Sequence, residues 1–184
     1  MSRTITIDIF DPASIDDAIE AIRDYSVWVQ HKTDELRERI AELISNQAQA
    51  VFNSSVADNG FMVINGNPVD DTRFGEVTVT VQPEGDNTTV IIANGKDAVF
   101  MEFGAGVYYN GAVGSSPNPW GTDLGFTIGS YGKGNGRKEV WGYYGDDGEI
   151  HLTHGAPASM PLYKAVQSVS RDIVRIAREV FRTA

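Results

Sequence analysis

The sequence contains no cysteine, few basic residues and no long apolar run. The absence of cysteine excludes disulfides and thiolate metal sites. Fifteen Lys and Arg stand against 25 Asp and Glu, a net charge of −10. Duplex DNA and anionic membranes require clustered basic residues, so we expect neither as a main partner. No apolar run approaches the roughly 18 residues of a membrane span, and the amino terminus lacks a secretory signal pattern, so we expect a cytosolic site of synthesis.

The composition is that of a globular protein with one domain over residues 1–184. Hydrophobic residues make up 41% and charged residues 22% of the chain, which are ordinary proportions. The pattern predicts an α+β fold with a carboxyl-terminal helix packed on an antiparallel sheet. The predicted segments are a strand or arm over 1–13, a helical region over 14–55, a sheet over 61–103, a long loop with a hairpin over 104–148 and a helix over 157–184.

The helical region follows from apolar residues at helical spacing without interruption. No Gly or Pro lies between Ala13 and Val56, which predicts one long helix or two helices joined near residues 30–34. Ser14 is the predicted N-cap, since its hydroxyl can accept a hydrogen bond from the first turn. Residues 4–10 alternate polar and apolar side chains, which predicts a half-buried strand.

The predicted sheet has about four antiparallel strands. Residues 76–81 and 88–93 alternate and are joined by a short polar turn, which indicates a hairpin. Residues 98–103 are interpreted as a further strand, and Glu102 interrupts its apolar side chains. Two readings of Glu102 remain open: a residue facing outward, or one with a specific partner such as an Arg of the last helix.

Residues 104–148 hold thirteen of the nineteen glycines, mixed with aromatic side chains. A loop of this length is uncommon in a compact domain unless it is functional, and aromatic rings offer a large contact area once docked. We therefore predict a partner surface that includes Tyr108, Tyr109, Trp120 and Tyr131. Residues 139–144 and 149–152 flank a turn and predict a hairpin.

The last helix is amphipathic and basic. Pro161 suits its first turn and Ser159 is its predicted cap. Residues 157–184 carry five basic and two acidic residues, and the first twenty residues carry one basic and five acidic residues. We expect Arg171, Arg175 and Arg178 to pair with acidic residues within or between subunits, in preference to nucleic acid.

The sequence gives little support for a catalytic site or a cofactor site. The glycines at residues 132–137 lack the hydroxyl residue and the following helix of a phosphate-binding loop. His151 and His154 lie near three acidic residues, but this spacing is unspecific for a metal. We therefore expect no catalytic residue, no cofactor and no metal, and the chain is predicted not to be an enzyme.

Two short segments carry a family resemblance. Glu102-Phe103-Gly104 ends an apolar run, and Pro157, Pro161, Leu162 and Ala165 introduce the last helix. Both resemble motifs of the head–tail joining proteins of long-tailed bacteriophages, also called tail-completion or neck proteins. In that family the first motif is Glu-Phe-Gly-Thr-like, and here Ala105 stands where Thr is usual.

The resemblance implies a structural virion protein at the head–tail junction, assembled in the bacterial cytoplasm. It would form or join a ring, six-fold in the family, between the capsid connector and the tail tube, from subunits that can be monomeric beforehand. Its partners would be neck, connector or tail-tube proteins, and DNA would pass without specific binding. Two alternatives stay open: a small cytosolic enzyme with a glycine-rich lid, and a peptide-binding regulatory module. The candidate interface residues are Glu102, Phe103, Gly104, Tyr108, Tyr109, Trp120, Tyr131, Arg171, Arg175 and Arg178.

Overall fold

The structure, a computed structural model, describes residues 4–55, 62–64, 67–69, 75–104, 118–123, 141–144, 148, 150–153 and 158–182. It is an α+β protein with a long amino-terminal helix and a carboxyl-terminal helix, as the sequence predicts. The elements in chain order are α1 (Pro12–Ser55), β1 (Met62–Ile64), β2 (Asn67–Val69), β3 (Thr78–Glu84), β4 (Thr88–Asn94), α2 (Ala98–Phe103), α3 (Trp120–Asp123), β5 (Trp141–Tyr144), β6 (Ile150–Thr153) and α4 (Pro161–Arg182).

Helix α1 is a single element of 44 residues without a break near residues 30–34. It begins two residues earlier than predicted, because Asp11 is its cap: the Ala13 N–H donates to Asp11 Oδ1 at 3.0 Å. Pro12 then takes the first helical position, where a missing N–H costs nothing. Ser14 is not the cap, since its hydroxyl accepts the N–H of Asp8 at 2.9 Å.

The strand predicted at residues 4–10 is not formed within the described part of the chain. Residues 4–8 have no regular secondary structure, and residues 9 and 10 form a turn. Asp8 closes this turn by accepting the N–H of Asp11 at 3.1 Å. An alternating pattern shows which side chains would share a face if the segment formed a strand. A strand also needs a neighbouring strand whose backbone groups hydrogen-bond with its own. We refer to residues 4–8 as the arm.

The described strands form three separate antiparallel pairs, β1 with β2, β3 with β4 and β5 with β6. The predicted hairpin is β3–β4, which pairs from Thr78 opposite Asn94 to Glu84 opposite Thr88. Strands β5 and β6 pair from Trp141 opposite Thr153 onward. A single sheet of about four strands is not among the described elements.

Residues 98–103 form helix α2 and not a strand. The Met101 N–H donates to Asp97 O at 2.9 Å and closes a helical turn, and Ala98, Met101 and Phe103 are buried. Gly104 ends the helix at φ 84°, a conformation that side chains disfavour. The predicted strand was wrong because a short run of apolar residues shows neither the two-residue period of a strand nor the 3.6-residue period of a helix clearly. Such a run fits a strand and a buried helix equally well.

The residue contacts divide the chain into two units. The first unit comprises residues 1–40 and 172–184, and the second comprises residues 41–171. In the first unit Trp28 stacks on Tyr25 and meets the Phe181 ring edge-on, with both ring centroids 5.7 Å away. Such aromatic pairs add to the stabilisation from area burial.

The core of the second unit joins α1, α2 and α4 to the β3–β4 hairpin. Phe52 and Met101 are completely buried at its centre. Gly95 makes a close approach possible, because a Cβ there would lie 2.8 Å from the Glu76 carbonyl oxygen. The cluster consists of Ala48, Phe52, Val77, Ala98, Met101 and Ala165, with Ile44, Val79, Ala93 and Leu162 packed against it.

Gln49 connects α1 to the outer edge of β3, because its side-chain amide makes the hydrogen bonds that a neighbouring strand would make. Its Nε2 donates to the Val77 carbonyl at 2.8 Å, and its Oε1 accepts the Val79 N–H at 2.7 Å. Nε2 also donates to Asn53 Oδ1 at 2.8 Å. The side-chain amide therefore satisfies two backbone groups at one edge of the hairpin and links that edge to the helix.

Replacing Gln49 by Ala should lower the free energy of unfolding by about 1–3 kcal/mol, because a partly buried N–H and a carbonyl lose their partners. Urea unfolding measures the change. Gln47→Ala is the matched control, since Gln47 is exposed on the same helix; equal effects of the two substitutions would contradict the role of Gln49.

Candidate functional site

The Glu102 carboxylate lies at the amino terminus of α4. The residue is only 4% exposed. Its Oε2 accepts the Leu162 N–H at 2.9 Å and its Oε1 accepts the Tyr163 N–H at 3.0 Å. The two segments that carry the family resemblance are thus joined directly, although some 60 residues separate them in the chain.

The first turn of α4 has a partner for every backbone N–H. Pro161, the first helical residue, has no N–H, and Glu102 binds the next two. The Met160 N–H donates to Met101 O at 3.1 Å, and Met160 O accepts the Lys164 N–H at 3.0 Å. The orphan donors that every helix start leaves are therefore satisfied by α2.

Met160 holds a strained backbone conformation at this helix start. Its φ is 57°, in the left-handed region that residues with a side chain seldom adopt. Both of its backbone groups are hydrogen-bonded, and the preceding Ser159 N–H also donates to Met101 O, at 2.8 Å. Strain of this kind persists only where the surroundings determine the conformation.

Asn118 supplies a third donor to the carboxylate. Its Nδ2 donates to Glu102 Oε1 at 3.0 Å, and its Oδ1 accepts the Trp120 N–H at 3.1 Å. Because a carboxylate accepts and an N–H donates, these two contacts fix the orientation of the amide. The glycine-rich segment is therefore connected through Asn118 to the helix start. We call Met101, Glu102, Asn118 and residues 159–163 the Glu102 junction.

Three N–H donors and the start of a helix surround the Glu102 side chain. Burying a charge is costly unless hydrogen bonds replace its water. Glu102 receives three N–H donors, and hydrogen bonds to a charged group contribute about 1.5–3 kcal/mol each. The helix dipole adds a favourable interaction, since a negative charge lies at its positive end.

The sequence left two readings of Glu102 open, and the structure supports the one with specific partners, although the example of an Arg is wrong. Glu102 neither faces outward from a strand nor binds an Arg; its partners are Asn118 and the backbone of α4. Ser159 is not the helix cap either, because the Glu102 carboxylate occupies that role. The signal in the sequence was an acidic residue in an apolar run, which requires nearby donors when buried.

The other candidate interface residues are distributed between the interior and the surface. Phe103 and Gly104 are buried, so their contacts are internal. Trp120 is 70% exposed at the start of α3. Tyr108, Tyr109 and Tyr131 lie outside the described residues.

The basic residues of α4 are exposed and differ in their pairing. Arg175 binds Asp172 and Glu179, each at 2.8 Å. The hydrogen bonds to Asp172 and then to Glu179 hold the pKa of Arg175 above its ordinary value. Arg171 and Arg178 make no ion pair within the described residues. Within the described part of the chain, both side chains are therefore available to a partner.

The described residues contain no group of three or more His, Asp or Glu able to hold a metal ion. Asp146, Asp147, Glu149 and His154 lie outside the described residues, and of His151 the structure describes only the backbone. Among the helices of the described part, none is both long and apolar enough to cross a membrane.

Comparison with known proteins gave no match: no protein-family model, no curated protein and no solved structure is significantly similar to this chain.

Replacing Glu102 by Gln should lower the free energy of unfolding by about 2–3 kcal/mol, because an amide has one acceptor oxygen and turns an NH₂ toward a donor. Glu102→Asp keeps the charge but shortens the reach, and it should also destabilise. Urea unfolding measures both. Glu84→Gln, at an exposed position of β3, should stay within about 0.5 kcal/mol of the unsubstituted protein; an equal loss there would contradict a specific role for Glu102.

Proposed function

We propose that the chain is a structural virion protein of the phage head–tail interface, which forms or joins an oligomeric ring between the capsid connector and the tail tube. The observation that carries the proposal is the direct bond between the two motif segments. Glu102 of the first motif binds the N–H groups of Leu162 and Tyr163 in the second. The two motifs therefore act as one structural unit, which gives a physical reason for their occurrence together.

Exposed apolar residues support an assembling protein. Most of the large apolar side chains that the described residues expose belong to the first unit. Isolated apolar residues on a surface are ordinary, but many in one unit are typical of a protein-binding surface. They are Ile5, Ile7, Ile9, Phe10, Ile15, Ile19, Ile22, Tyr25, Val27, Ile173, Val174 and Phe181.

The charge distribution supports a head-to-tail arrangement of subunits. A ring requires two different surfaces of a subunit that fit each other. The first twenty residues are acidic and the last helix is basic, so the first of one copy would attract the second of the next. We assign the basic side of this contact to Arg171 and Arg178, because Arg175 is already paired within its helix.

The remaining parts of the proposal concern DNA, the sheet and the glycine-rich segment. A net charge of −10 would repel DNA from a channel and allow it to pass. The predicted sheet of about four strands is part of the proposal, with β3–β4 as two of them. The exposed Trp120 would belong to the surface that contacts a neighbouring ring or subunit.

The two alternative functions lack a specific observation in their favour among the described residues. An enzyme with a glycine-rich lid needs converging titratable groups beneath that lid. A peptide-binding module needs a groove beside the aromatic residues. We therefore retain the virion protein as the function that the Glu102 junction supports best.

The decisive experiment mixes the purified protein with phage heads that carry connectors and with separate tails. Negative-stain microscopy should show a ring at the connector or tail end and an increase in joined particles over a mixture without the protein. Absence of both the ring and the joining would reject the proposal. Mass measurement of the protein alone does not decide it, since subunits of such rings can be monomeric before assembly.

Reversing Arg171 and Arg178 together to Glu should reduce the joined particles by about tenfold or more, because like charges then face each other across the contact. The urea midpoint should change little, since both side chains are exposed. Arg171→Lys with Arg178→Lys keeps the charge and should join particles normally. Unchanged joining by the Glu variant would exclude this face of α4 from the interface.

A further inference from the structure

The β3–β4 hairpin has one edge that Gln49 binds and a second edge, called the open edge below, with which no described strand pairs. The Val79 N–H donates to Gln49, so it points away from β4. Antiparallel strands alternate the direction of their backbone groups, and Val79 lies opposite Ala93. The N–H and C=O groups of Ile91 and Ala93 therefore point outward from β4, and within the described part of the chain no strand pairs with them.

The open edge lacks the features that prevent strands from pairing. Strand β4 has the sequence TTVIIAN, without a charge or a proline. Proteins commonly protect an edge strand with Lys, Pro or a bulge, because free backbone groups recruit another strand. An edge of seven residues without such protection is a site for β-strand addition.

The arm has the complementary property: a strand pattern without a neighbouring strand. Ile5 and Ile7 are 42% and 51% exposed, and they alternate with Thr4, Thr6 and Asp8. Asp8 uses its own N–H and C=O locally, on Ser14 and Asp11. The backbone groups of Ile5 and Ile7 have no hydrogen-bond partner within the described residues.

We propose that the arm of one copy adds to β4 of the next copy as an antiparallel third strand. Pairing the free groups places Ile5 opposite Ala93 and Ile7 opposite Ile91, which puts Thr6 opposite Ile92. Residues directly opposite each other lie on the same face of a sheet. Because Ala93 faces the core of the second unit, the side chains of Ile5 and Ile7 extend that apolar face.

We take the occupant to be a second copy of this chain because the proposed ring needs a contact between two different surfaces of a subunit, and the arm and the β4 edge are two such surfaces. A contact between different surfaces is heterologous, and it repeats from copy to copy until a ring closes. This inference rests on the proposed function for the closed ring. It also defines the contact itself: four backbone hydrogen bonds, two in each of the pairs Ile5–Ala93 and Ile7–Ile91, and two isoleucine side chains.

Cysteine pairs test the register, and the chain has no cysteine of its own. Thr6 and Ile92 would form a non-hydrogen-bonded pair with Cα atoms about 4.5 Å apart, a separation that a disulfide can bridge. Thr6→Cys protein mixed with Ile92→Cys protein under oxidation should yield a disulfide-linked dimer on a non-reducing gel. The double variant should yield a ladder of linked oligomers.

The matched control replaces Ile92→Cys by Thr80→Cys. Thr80 lies opposite Ile92 on β3, one strand farther from the arm, so the distance to Thr6 exceeds the reach of a disulfide. Its mixture with Thr6→Cys protein should give no dimer above background. Equal dimer formation by both mixtures would show random collision and overturn the proposed register.

Proline at residue 91 tests the open edge independently. Because the Ile91 N–H points away from β3, Ile91→Pro removes only an outward donor and leaves the hairpin ladder intact. Added to the Ile92→Cys protein, it should abolish the dimer. Ile92→Pro in the unsubstituted protein, which removes a donor within the ladder, should instead lower the urea midpoint more than Ile91→Pro does.

The outcomes separate this inference from the proposed function. Strand addition between copies is overturned if the two single-cysteine proteins give no dimer at the highest soluble concentration. It is also overturned if the double variant forms its disulfide only within one chain. Normal particle joining by a variant lacking residues 4–8 overturns it as well and leaves the virion function standing. Linked oligomers from a protein that neither forms rings nor joins particles would reject the virion function and keep the strand contact.

Discussion

The hydrogen bonds between the Glu102 carboxylate and the start of α4 are the interaction on which the second unit depends. A helix start has N–H groups without partners inside the helix, and a buried carboxylate needs donors in place of water. Each requirement satisfies the other here, because Glu102 binds Leu162 and Tyr163. The same carboxylate accepts a hydrogen bond from Asn118, a residue of the glycine-rich segment.

Gln49 applies the same principle to the edge of a strand. A side-chain amide has the donor and acceptor of a peptide group, so it can pair with β3 where no further strand is described. Glu102 and Gln49 together join α1, β3, α2 and α4 around one apolar cluster. In both places a single polar side chain at the border of the core decides which elements become neighbours.

The interior and the surface contribute differently to the proposed function. The motif residues Glu102, Phe103 and Gly104 are buried and maintain the framework. Assembly would use other groups: the exposed apolar residues of the first unit, and Arg171, Arg178 and the β4 edge, which have no ion pair or strand partner among the described residues. Under the proposed function, the motif residues would therefore maintain the fold, whereas the choice of partner would depend on residues outside the motif.

Local periodicity in the sequence was sufficient for the two long helices and the β3–β4 hairpin. An uninterrupted helical spacing predicts α1 and α4, and alternation on both sides of a polar turn predicts the hairpin. These features depend on neighbours within a few residues, which a sequence displays directly. Among the candidate site residues, Glu102 was recognisable because an acidic residue within an apolar run needs a partner.

Only the tertiary structure decided the rest. Residues 98–103 form a helix, in which the Met101 N–H binds the Asp97 carbonyl. The arm is not a strand, because a strand needs a neighbouring strand and none of the described strands pairs with it. The cap of α4 came from Glu102 and not from the adjacent Ser159. The sequence by itself determined which groups needed partners, and the tertiary structure decided which partners they met, because a hydrogen bond depends on distance in space and not on separation along the chain.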